Sequence, residues 1–311
     1  MDRIALVLGA SGGVGGESAR ALIAHGWKVR GLVRNIRVGL DPAITWIEGD
    51  AMRRDDVLAA AKGVSAIVHA VNPPGYRDWE KLVVPMIDNS IAAAQANDAR
   101  LALPGTIYNY DPAETPVARP DAPQQPRTRK GGLRKAMEAH IETSGVRALI
   151  LRAGDFFGPR SGNSWLSQGM VTPGQPVRSV MYPGSKGAGH AWAYLPDVAE
   201  TFARLLDRED DLPRFARFHF AGTWDADGTQ FVRAIGEAAG RVPKRKRMPW
   251  MLLPLAAPFN PTMRELIEMR PFWRHPLRLD NASLVAFLGE EPHTPLVESL
   301  RVTLKALGSL E

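Results

Sequence analysis

The stretch Ile4-Ala5-Leu6-Val7-Leu8-Gly9-Ala10-Ser11-Gly12-Gly13-Val14-Gly15 decides how the chain is interpreted. Its five consecutive apolar residues are typical of a strand buried on both faces of a parallel sheet. Glycines spaced G-x-x-G-x-x-G follow directly, and a helical pattern then runs to Gly26. Glycine lets backbone N–H groups approach a pyrophosphate, and a helix N-terminus adds partial positive charge. The stretch therefore favours a dinucleotide site over a plain strand–helix turn, with these binding residues: Gly9, Ser11, Gly12, Gly13, Val14 and Gly15.

Length and composition narrow the class of protein. The chain has 311 residues, of which 45% are hydrophobic and 23% charged, as is ordinary for a globular protein. It has no cysteine, which excludes disulfides and thiolate chemistry. Since no apolar run is long enough to span a membrane and the first residues already form a strand, we expect no signal peptide, no membrane partner and a cytoplasmic location. The net charge of +6 suits an anionic cofactor or substrate.

Strand and helix patterns alternate through the first half of the chain. This alternation predicts an α/β fold, a Rossmann-type doubly wound parallel sheet with a small C-terminal substrate lobe. We expect a dinucleotide-binding domain over residues 1–153 and a mixed lobe over 154–311 that is interleaved with the end of the sheet. The predicted strands after the first are 28–35, 45–50, 65–71, 101–103, 146–152 and 215–220. The residues Asn72-Pro73-Pro74-Gly75 are predicted to interrupt regular secondary structure after the fourth strand.

A proline-rich stretch separates the fifth strand from the next helix. Residues 104–127 hold six prolines and little periodicity, which predicts a long loop of functional importance. The helix that follows carries Leu133, Met137 and Ile141 on its apolar face. These side chains serve either the core or a homodimer interface, and the sequence leaves that choice open.

The residue at the tip of the second strand bears on cofactor choice. An acidic residue there binds the ribose 2′-hydroxyl of NAD, whereas a basic one accommodates the 2′-phosphate of NADP. The residue here is Arg34, and no acid stands near it. We therefore expect NADP(H) rather than NAD(H), the alternative being that Arg34 is only a solvated residue at a strand end.

Five segments together resemble the extended short-chain dehydrogenase/reductase superfamily, in particular its NAD-dependent epimerase/dehydratase group. The resemblance implies further cofactor contacts from Asp50, Ala51, Ala70, Val71 and Asn72, and a small-molecule substrate such as a nucleotide-sugar or a small carbonyl compound. The segments are Gly9 to Gly15, Gly49-Asp50-Ala51, Ala70-Val71-Asn72, Arg152-Ala153-Gly154-Asp155-Phe156-Phe157-Gly158-Pro159 and Trp192-Ala193-Tyr194-Leu195-Pro196-Asp197-Val198-Ala199.

The chain departs from this family at the catalytic centre. The family uses a Ser or Thr together with Tyr-x-x-x-Lys, in which the lysine lowers the pKa of the phenol and holds the nicotinamide ribose. Here Pro104 takes the Ser position, Lys130 the Tyr position and Arg134 the Lys position. Arg134 could still hold ribose or phosphate oxygens, and Lys130 could act as an acid if its pKa were lowered. Alternatively, Lys130, Arg134 and Glu138 form a solvated charged stripe on the helix.

Other side chains could replace the missing phenol. Tyr108 and Tyr110 follow the fifth strand, at the sheet edge where α/β proteins bind ligands, and Thr106 offers a hydroxyl nearby. Asp155 is a further candidate base, against the alternative that it caps a turn. The candidate catalytic residues are therefore Tyr108, Lys130, Arg134 and Asp155.

Two functions from different classes fit these observations. The first is an NADP(H)-dependent oxidoreductase or epimerase with a nonstandard active site. The second is a catalytically inactive NADP(H)-binding sensor or regulator similar to NmrA-like proteins, which the missing Ser and Tyr favour.

Three further patterns receive structural interpretations. The basic run Arg241-Val242-Pro243-Lys244-Arg245-Lys246-Arg247 lacks any nucleic-acid recognition motif beside it, so a solvated strand or loop is favoured over nucleic-acid binding. His69 is predicted to be a hydrogen-bonded core histidine, and no histidine spacing indicates a metal site. The apolar C-terminal residues are predicted to be core: Trp250, Met251, Leu252, Leu253, Phe259, Phe272 and Trp273.

Overall fold

The computed structural model describes residues 3–72, 79–162, 164–185, 187–259 and 261–310. Most of the predicted interruption of secondary structure at Asn72–Gly75 thus lies outside the described residues. The strands are β1 (Ile4–Leu8), β2 (Lys28–Val33), β3 (Thr45–Glu48), β4 (Ala66–His69), β5 (Arg100–Thr106), β6 (Val117–Ala118), β7 (Ala148–Ala153), β8 (Asp155–Phe157), β9 (Ser179–Tyr182), β10 (His190–Tyr194), β11 (Phe215–His219), β12 (Thr223–Asp225), β13 (Lys244–Arg247) and β14 (Arg278–Leu279).

Helices connect most of these strands. They are α1 (Gly13–Ala24), α2 (Arg54–Ala60), α3 (Trp79–Asn97), α4 (Arg129–Thr143), α5 (Leu195–Asp207), α6 (Gln230–Ala238), α7 (Leu253–Ala256), α8 (Pro261–Met269), α9 (Pro271–Arg274), α10 (Ala282–Leu288) and α11 (Leu296–Ala306). A 3-10 turn at Ile107–Asn109 follows β5, and a π-helical turn spans Leu166–Met170.

A seven-stranded sheet forms the centre of the protein, in the order β11-β7-β5-β4-β1-β2-β3. Every neighbouring pair in it is parallel. One apolar core lies between the sheet and helices α1, α5 and α10, and a second lies between the sheet and helices α2, α3 and α4. Helices thus cover both faces, and the predicted Rossmann-type doubly wound fold is confirmed.

The later part of the chain contributes to the sheet and also builds beside it. Strand β11 supplies the edge of the central sheet, next to β7. Strands β8, β10 and β12 form a three-stranded sheet, and β9 pairs with β13. A third core under α6 and α11 joins these smaller sheets. The domain boundary at residue 153 stays a prediction. The later part of the chain is interleaved with the central sheet through β11.

In the middle of the chain, the predicted extent of the fifth strand is wrong, and the choice that the sequence left open for α4 is decided for two of its residues. The fifth strand is longer than expected, because β5 runs to Thr106 and so includes Pro104. Its pairing with β4 ends at Ala102, so Pro104 lies beyond the last residue that needs two strand neighbours, where a missing N–H is tolerated. Met137 and Ile141 of α4 are buried in the second core, which makes them core residues and not a dimer surface.

The C-terminal apolar residues divide into two groups. Leu253, Phe272 and Trp273 are buried as predicted. The core prediction is wrong for Met251, Leu252 and Phe259, which are exposed. The difference is local: Leu253, the first residue of α7, is buried, whereas Met251 and Leu252 before this short helix and Phe259 after it are left on the surface.

Candidate active site

The glycine-rich loop lies at the carboxyl edge of the central sheet. Strand β1 pairs with β4 so that Leu8 faces His69, which brings Gly9 beside Ala70. Gly9 has φ +89°, and a Cβ on it would lie 2.6 Å from the carbonyl oxygen of Ala70. Only glycine allows this close approach between the two predicted cofactor segments.

The N-terminus of α1 is suited to an anion. The helix begins at Gly13, its capping residue Gly12 offers no side chain, and the first turn contains no acid. The first N–H groups of a helix have no intrahelical acceptor, and the helix dipole favours negative charge there. The loop therefore fits the pyrophosphate of a dinucleotide.

A second segment packs across the start of α1. A Cβ on Gly13 would lie 2.5 Å from the carbonyl oxygen of Ser161. The Arg160 Nε donates to Oε1 of the buried Glu17 carboxylate at 2.8 Å. The sequence analysis missed this pair, although a charged Glu17 on an otherwise apolar helix face could have indicated it.

The predicted adenosine-side residues follow β2 and β3. Arg34 is exposed directly after β2. Asp50 Oδ1 accepts from the Met52 N–H at 3.0 Å, and the Asp50 N–H donates to Asp56 Oδ2 at 2.9 Å. The Ala51 carbonyl accepts from the Asn89 amide at 2.9 Å. These hydrogen bonds fix the Asp50–Ala51 segment after β3. That strand lies beside β2, which in turn pairs with β1, the strand that leads into the glycine-rich loop.

His69 is a core histidine, as predicted. Its Nδ1 lies 2.7 Å from the Ser90 hydroxyl, and the ring is buried. Burial, with the nearby charge of Arg134, lowers the pKa of His69 to about 3. The imidazole is therefore neutral at ordinary pH.

Lys130, Arg134 and Glu138 of α4 are buried, so the interpretation of these three residues as a solvated stripe is wrong. Lys130 is 3% exposed, and its Nζ lies 2.9 Å from Oε2 of Glu265 on α8. Arg134 is 9% exposed and donates to Asn72 Oδ1 at 3.0 Å. Lys130 is therefore paired with a carboxylate from a distant part of the chain, and Arg134 is hydrogen-bonded to a neutral amide oxygen.

Glu138 belongs to a separate buried network. Its carboxylate forms a bidentate ion pair with Arg152 and accepts from the amides of Asn109 and Gln124. Arg152 also donates to the Tyr110 hydroxyl at 2.7 Å. Burial raises the pKa of Tyr110 to about 12, against the lowering effect of Arg152, which removes Tyr110 as a replacement phenol.

Tyr108 occupies a different environment. The Tyr108 hydroxyl donates to Asp155 Oδ1 at 3.4 Å, and Nε2 of His190 donates to Asp155 Oδ2 at 2.8 Å. Thr106 does not face this group, because its hydroxyl accepts the Tyr108 N–H and caps the 3-10 turn. Asp155 is thus the centre of a hydrogen-bonded chain, and the turn-capping interpretation is wrong.

The sequence analysis missed His190 and assigned Trp273 only to the core. His190 is 3% exposed, and its ring stacks on Trp273 with centroids 3.8 Å apart and planes 7° apart. Tyr108 packs against Phe272 at 5.2 Å. The available signal for His190 was its place in β10, which pairs in parallel with β8, the strand of Asp155.

The remaining described tyrosines are poor acid–base groups. Burial raises the pKa of Tyr194 to about 12 and raises the pKa of Tyr182 further. Of the four tyrosines that the structure describes, Tyr108 alone joins a carboxylate–imidazole pair.

Neither a metal cluster nor a membrane-crossing helix is found in the part of the chain that the structure describes. No group of three or more His, Asp or Glu side chains there could hold a metal ion. No helix there is long and apolar enough to cross a membrane.

Two cavities lie outside the glycine-rich loop. One of about 230 Å³ is lined by residues that include Asp111, Arg127 and Phe272. The other, of about 430 Å³, is lined by residues that include Asp197, Glu200 and His293.

A comparison with family models identifies the family. The model of the NAD(P)H-binding family matches residues 9–175, from the first glycine of the loop to beyond Asp155. The chain belongs to the NAD(P)H-binding family. This family assignment agrees with the glycine-rich loop and the helix N-terminus described above.

Solved structures confirm the resemblance to the epimerase/dehydratase group at the level of fold. UDP-glucose-4-epimerase of Stenotrophomonas maltophila, with bound NAD and formylated UDP-arabinopyranose, matches with TM-score 0.77 and 15% identity over 99% of this chain and 98% of that one. MoeE5 with UDP-glucose and NAD matches with TM-score 0.75 and 17% identity over 98% of each chain. WbmH of Bordetella bronchiseptica with NAD⁺ matches with TM-score 0.72 and 19% identity over 98% of each.

One curated protein matches over a short segment. This is the decarboxylating sterol-4-alpha-carboxylate 3-dehydrogenase of Bos taurus, 34% identical over 77 residues. The match covers 24% of this chain and 21% of that protein, so the chain spans about a fifth of the length of the curated relative.

Proposed function

We propose that this protein is an NADP(H)-dependent oxidoreductase or epimerase of the extended short-chain type in which Tyr108 replaces the family's catalytic tyrosine. The observation that supports the proposal is the chain of hydrogen bonds from Tyr108 through Asp155 to His190. It lies at the carboxyl edge of the sheet, where α/β proteins bind ligands. A phenol that exchanges protons with a carboxylate–imidazole pair can act as a general acid and base.

The cofactor-binding residues are those predicted from the sequence. The amides at the start of α1 bind the pyrophosphate, and Gly9 lets the loop pack directly against the backbone of Ala70 and Val71. Arg34 pairs with the 2′-phosphate of NADP(H), which it can reach because it is exposed after β2. Arg134 and Asn72, which are hydrogen-bonded to each other, hold the nicotinamide ribose in place of the family's lysine.

The proton chemistry follows from the arrangement of Tyr108. The bound cofactor supplies a hydride to a carbonyl carbon of the substrate, or accepts one from an alcohol carbon. In the reducing direction, Tyr108 donates its proton to the carbonyl oxygen, which completes the alcohol. The phenolate then regains a proton through Asp155, which takes one from His190 and passes it on, and His190 takes a replacement proton from solvent. In the oxidising direction each transfer is reversed.

Lys130 has a positioning role in this proposal. Its ammonium group is held by Glu265, and its backbone N–H donates to Glu268 Oε1 at 2.8 Å. These contacts fix α8 against the start of α4, next to Tyr108, whose carbonyl oxygen would lie 2.1 Å from a Cβ on Gly131. Lys130 thus keeps the wall of the site in place and leaves proton transfer to Tyr108.

One observation favours the second candidate, an NADP(H)-binding sensor. The ring of Trp273 covers the face of His190, and Glu265 engages Lys130, so side chains from α8 and α9 fill space that a substrate would need. A sensor needs the cofactor site but no substrate cavity. The two candidates therefore differ in turnover and agree on cofactor binding.

Kinetics with a tyrosine variant test the proposal. The purified protein would be titrated with NADPH and NADH and then assayed for hydride exchange with UDP-sugars and small carbonyl compounds. UDP-sugars belong in the panel because MoeE5, which shares the fold, was solved with UDP-glucose. We expect Tyr108→Phe to lower kcat by about 10²-fold or more, the usual contribution of general acid–base catalysis. The affinity for NADPH should not change.

The matched control is Tyr182→Phe, which removes a buried hydroxyl of the third core that has no hydrogen-bond partner among the described residues. We expect it to keep kcat within a factor of two or three, as a roughly neutral change. Tight NADPH binding without turnover across the panel would support the sensor. If Tyr108→Phe retained full activity, the role of Tyr108 would be refuted.

A homodimer and a cytoplasmic location, both expected from the sequence, also belong to this proposal. Since Met137 and Ile141 are buried within one chain, a dimer would have to use other residues of α4 or a different surface.

A further inference from the structure

The positive charge of the protein is concentrated in one segment. Residues 241–264 contain six Lys and Arg and no Asp or Glu. The rest of the chain contains 33 Lys and Arg and 33 Asp and Glu, so it is balanced. The whole net charge of +6 therefore resides in 24 of 311 residues.

The basic part of this segment is a surface strand. All four residues of β13 are exposed, and the strand pairs in parallel with β9. The Arg245 guanidinium lies 4.7 Å above the Tyr182 ring, and its charge also reaches Asp227. Lys244, Lys246 and Arg247 extend the positive surface beyond this one acid.

Large apolar side chains follow the basic strand in the chain. Met251, Leu252, Leu255 and Phe259 are 85%, 61%, 73% and 90% exposed. The segment is anchored just before this group, at Trp250, and within it, at Leu253. Leu253 is buried, and the Trp250 indole N–H donates to the Pro183 carbonyl at 2.7 Å. Exposed aliphatic and aromatic side chains concentrated in this way mark an interaction site.

We infer that residues 241–259 form a docking surface for an anionic lipid membrane. Cations attract the headgroups of anionic lipids, and the neighbouring apolar side chains insert at the boundary of the acyl chains. Trp250, half-buried beside them, is a residue type that favours this interface. The inference rests on charge and exposure alone and is independent of the proposed function.

Two other occupants fit less well. A second copy of the chain would place like charges opposite each other in a two-fold contact, which is repulsive. A nucleic acid would be attracted by β13 but would gain nothing from exposed Leu252 or Leu255. The combination of charge and aliphatic surface favours lipid. The sequence led us to expect no membrane partner because it contains no spanning segment, and docking at the interface needs none.

Vesicle co-sedimentation tests the inference. The full chain would be mixed with vesicles of phosphatidylcholine and phosphatidylglycerol in equal parts, or of phosphatidylcholine alone. We expect binding to the anionic vesicles and little to the neutral ones. Lys244→Gln and Lys246→Gln should each weaken binding about fivefold, and Leu252→Asp about tenfold or more. Val302→Asp on α11, at a site 44% exposed, is the matched control and should leave binding unchanged.

Each contrary result has a definite meaning. Absence of binding to anionic vesicles at low salt would overturn the inference. Binding weakened by the lysine variants but not by Leu252→Asp, and displaced by a DNA duplex, would identify a polyanion surface instead. A dimer in light scattering that Leu252→Asp converts to monomer, without vesicle binding, would show that a second copy covers the surface. Circular dichroism and NADPH titration would verify that each variant is folded.

Discussion

Replacing Glu138 by glutamine removes one negative charge from the interior of the protein and changes the side-chain volume very little. The Arg152 guanidinium that pairs with it is 0% exposed, and Glu138 is 3% exposed. In the variant, Arg152 remains buried without a carboxylate. The side-chain NH2 groups of Asn109 and Gln124 each donate to one oxygen of Glu138. In the variant one of these oxygens becomes an NH2 group, so one of the two donors faces another donor and loses its acceptor.

The cost can be set from the burial of the pair. Removal of one partner of a buried ion pair typically destabilises a protein by about 3–5 kcal/mol, because the remaining charge is uncompensated. The remaining bonds of Arg152 to the Tyr110 hydroxyl and the Pro120 carbonyl do not supply negative charge. At roughly 2 °C per kcal/mol for a chain of this size, we expect Glu138→Gln to lower Tm by about 6–10 °C.

Thermal and urea unfolding followed by circular dichroism measure this effect. Glu142→Gln on the same helix is the matched control, because the Glu142 side chain is 54% exposed and should change stability by less than about 0.5 kcal/mol. The double variant Glu138→Leu, Arg152→Met removes both charges, and we expect it to recover much of the loss. A loss below about 1 kcal/mol in Glu138→Gln would refute the assignment of a buried, uncompensated charge.

Three further predictions concern the cofactor site and pH. Arg34→Gln should weaken NADPH binding about tenfold and leave NADH unchanged in fluorescence titrations, and equal losses for both would exclude contact with the 2′-phosphate. Gly13→Ala should lower Tm and weaken NADPH binding because its Cβ meets the Ser161 carbonyl, whereas Gly132→Ala, with open space around it, should gain about 0.5–1 kcal/mol. Burial lowers the pKa of His25, but hydrogen bonds to Asp207 and Glu200 raise it more, so it lies above 6.5 in the folded protein. The pairing is therefore fully stabilising below pH 6.5 and is lost as pH rises through the folded pKa, so His25→Gln should cost stability in acid and little in base, as urea unfolding across pH would show.

Most of the fold could be predicted because its determinants are local. Leu6 and Ile67 lie in continuous apolar runs, which indicate strands buried on both faces, and Gly9 requires a backbone that only glycine adopts easily. The end of β5 was harder, because Pro104 ordinarily indicates a loop. Its place in a strand depends on β4 ending at an earlier level, and that is a property of the sheet and not of the segment itself.

In the candidate site too, features that depend on distant parts of the chain could not be predicted from the local sequence. Lys130, Arg134 and Glu138 have the spacing of a solvated stripe, and nothing within α4 distinguishes that arrangement from the buried one. Lys130 and Glu138 are buried because charged partners arrive from far along the chain, Glu265 for Lys130 and Arg152 for Glu138, and Arg134 is hydrogen-bonded to Asn72. A buried charge is stable only where such a partner is fixed in place. The charged face of α4 is therefore evidence that α8 and β7 hold the candidate site together, and its composition makes sense only in the assembled fold.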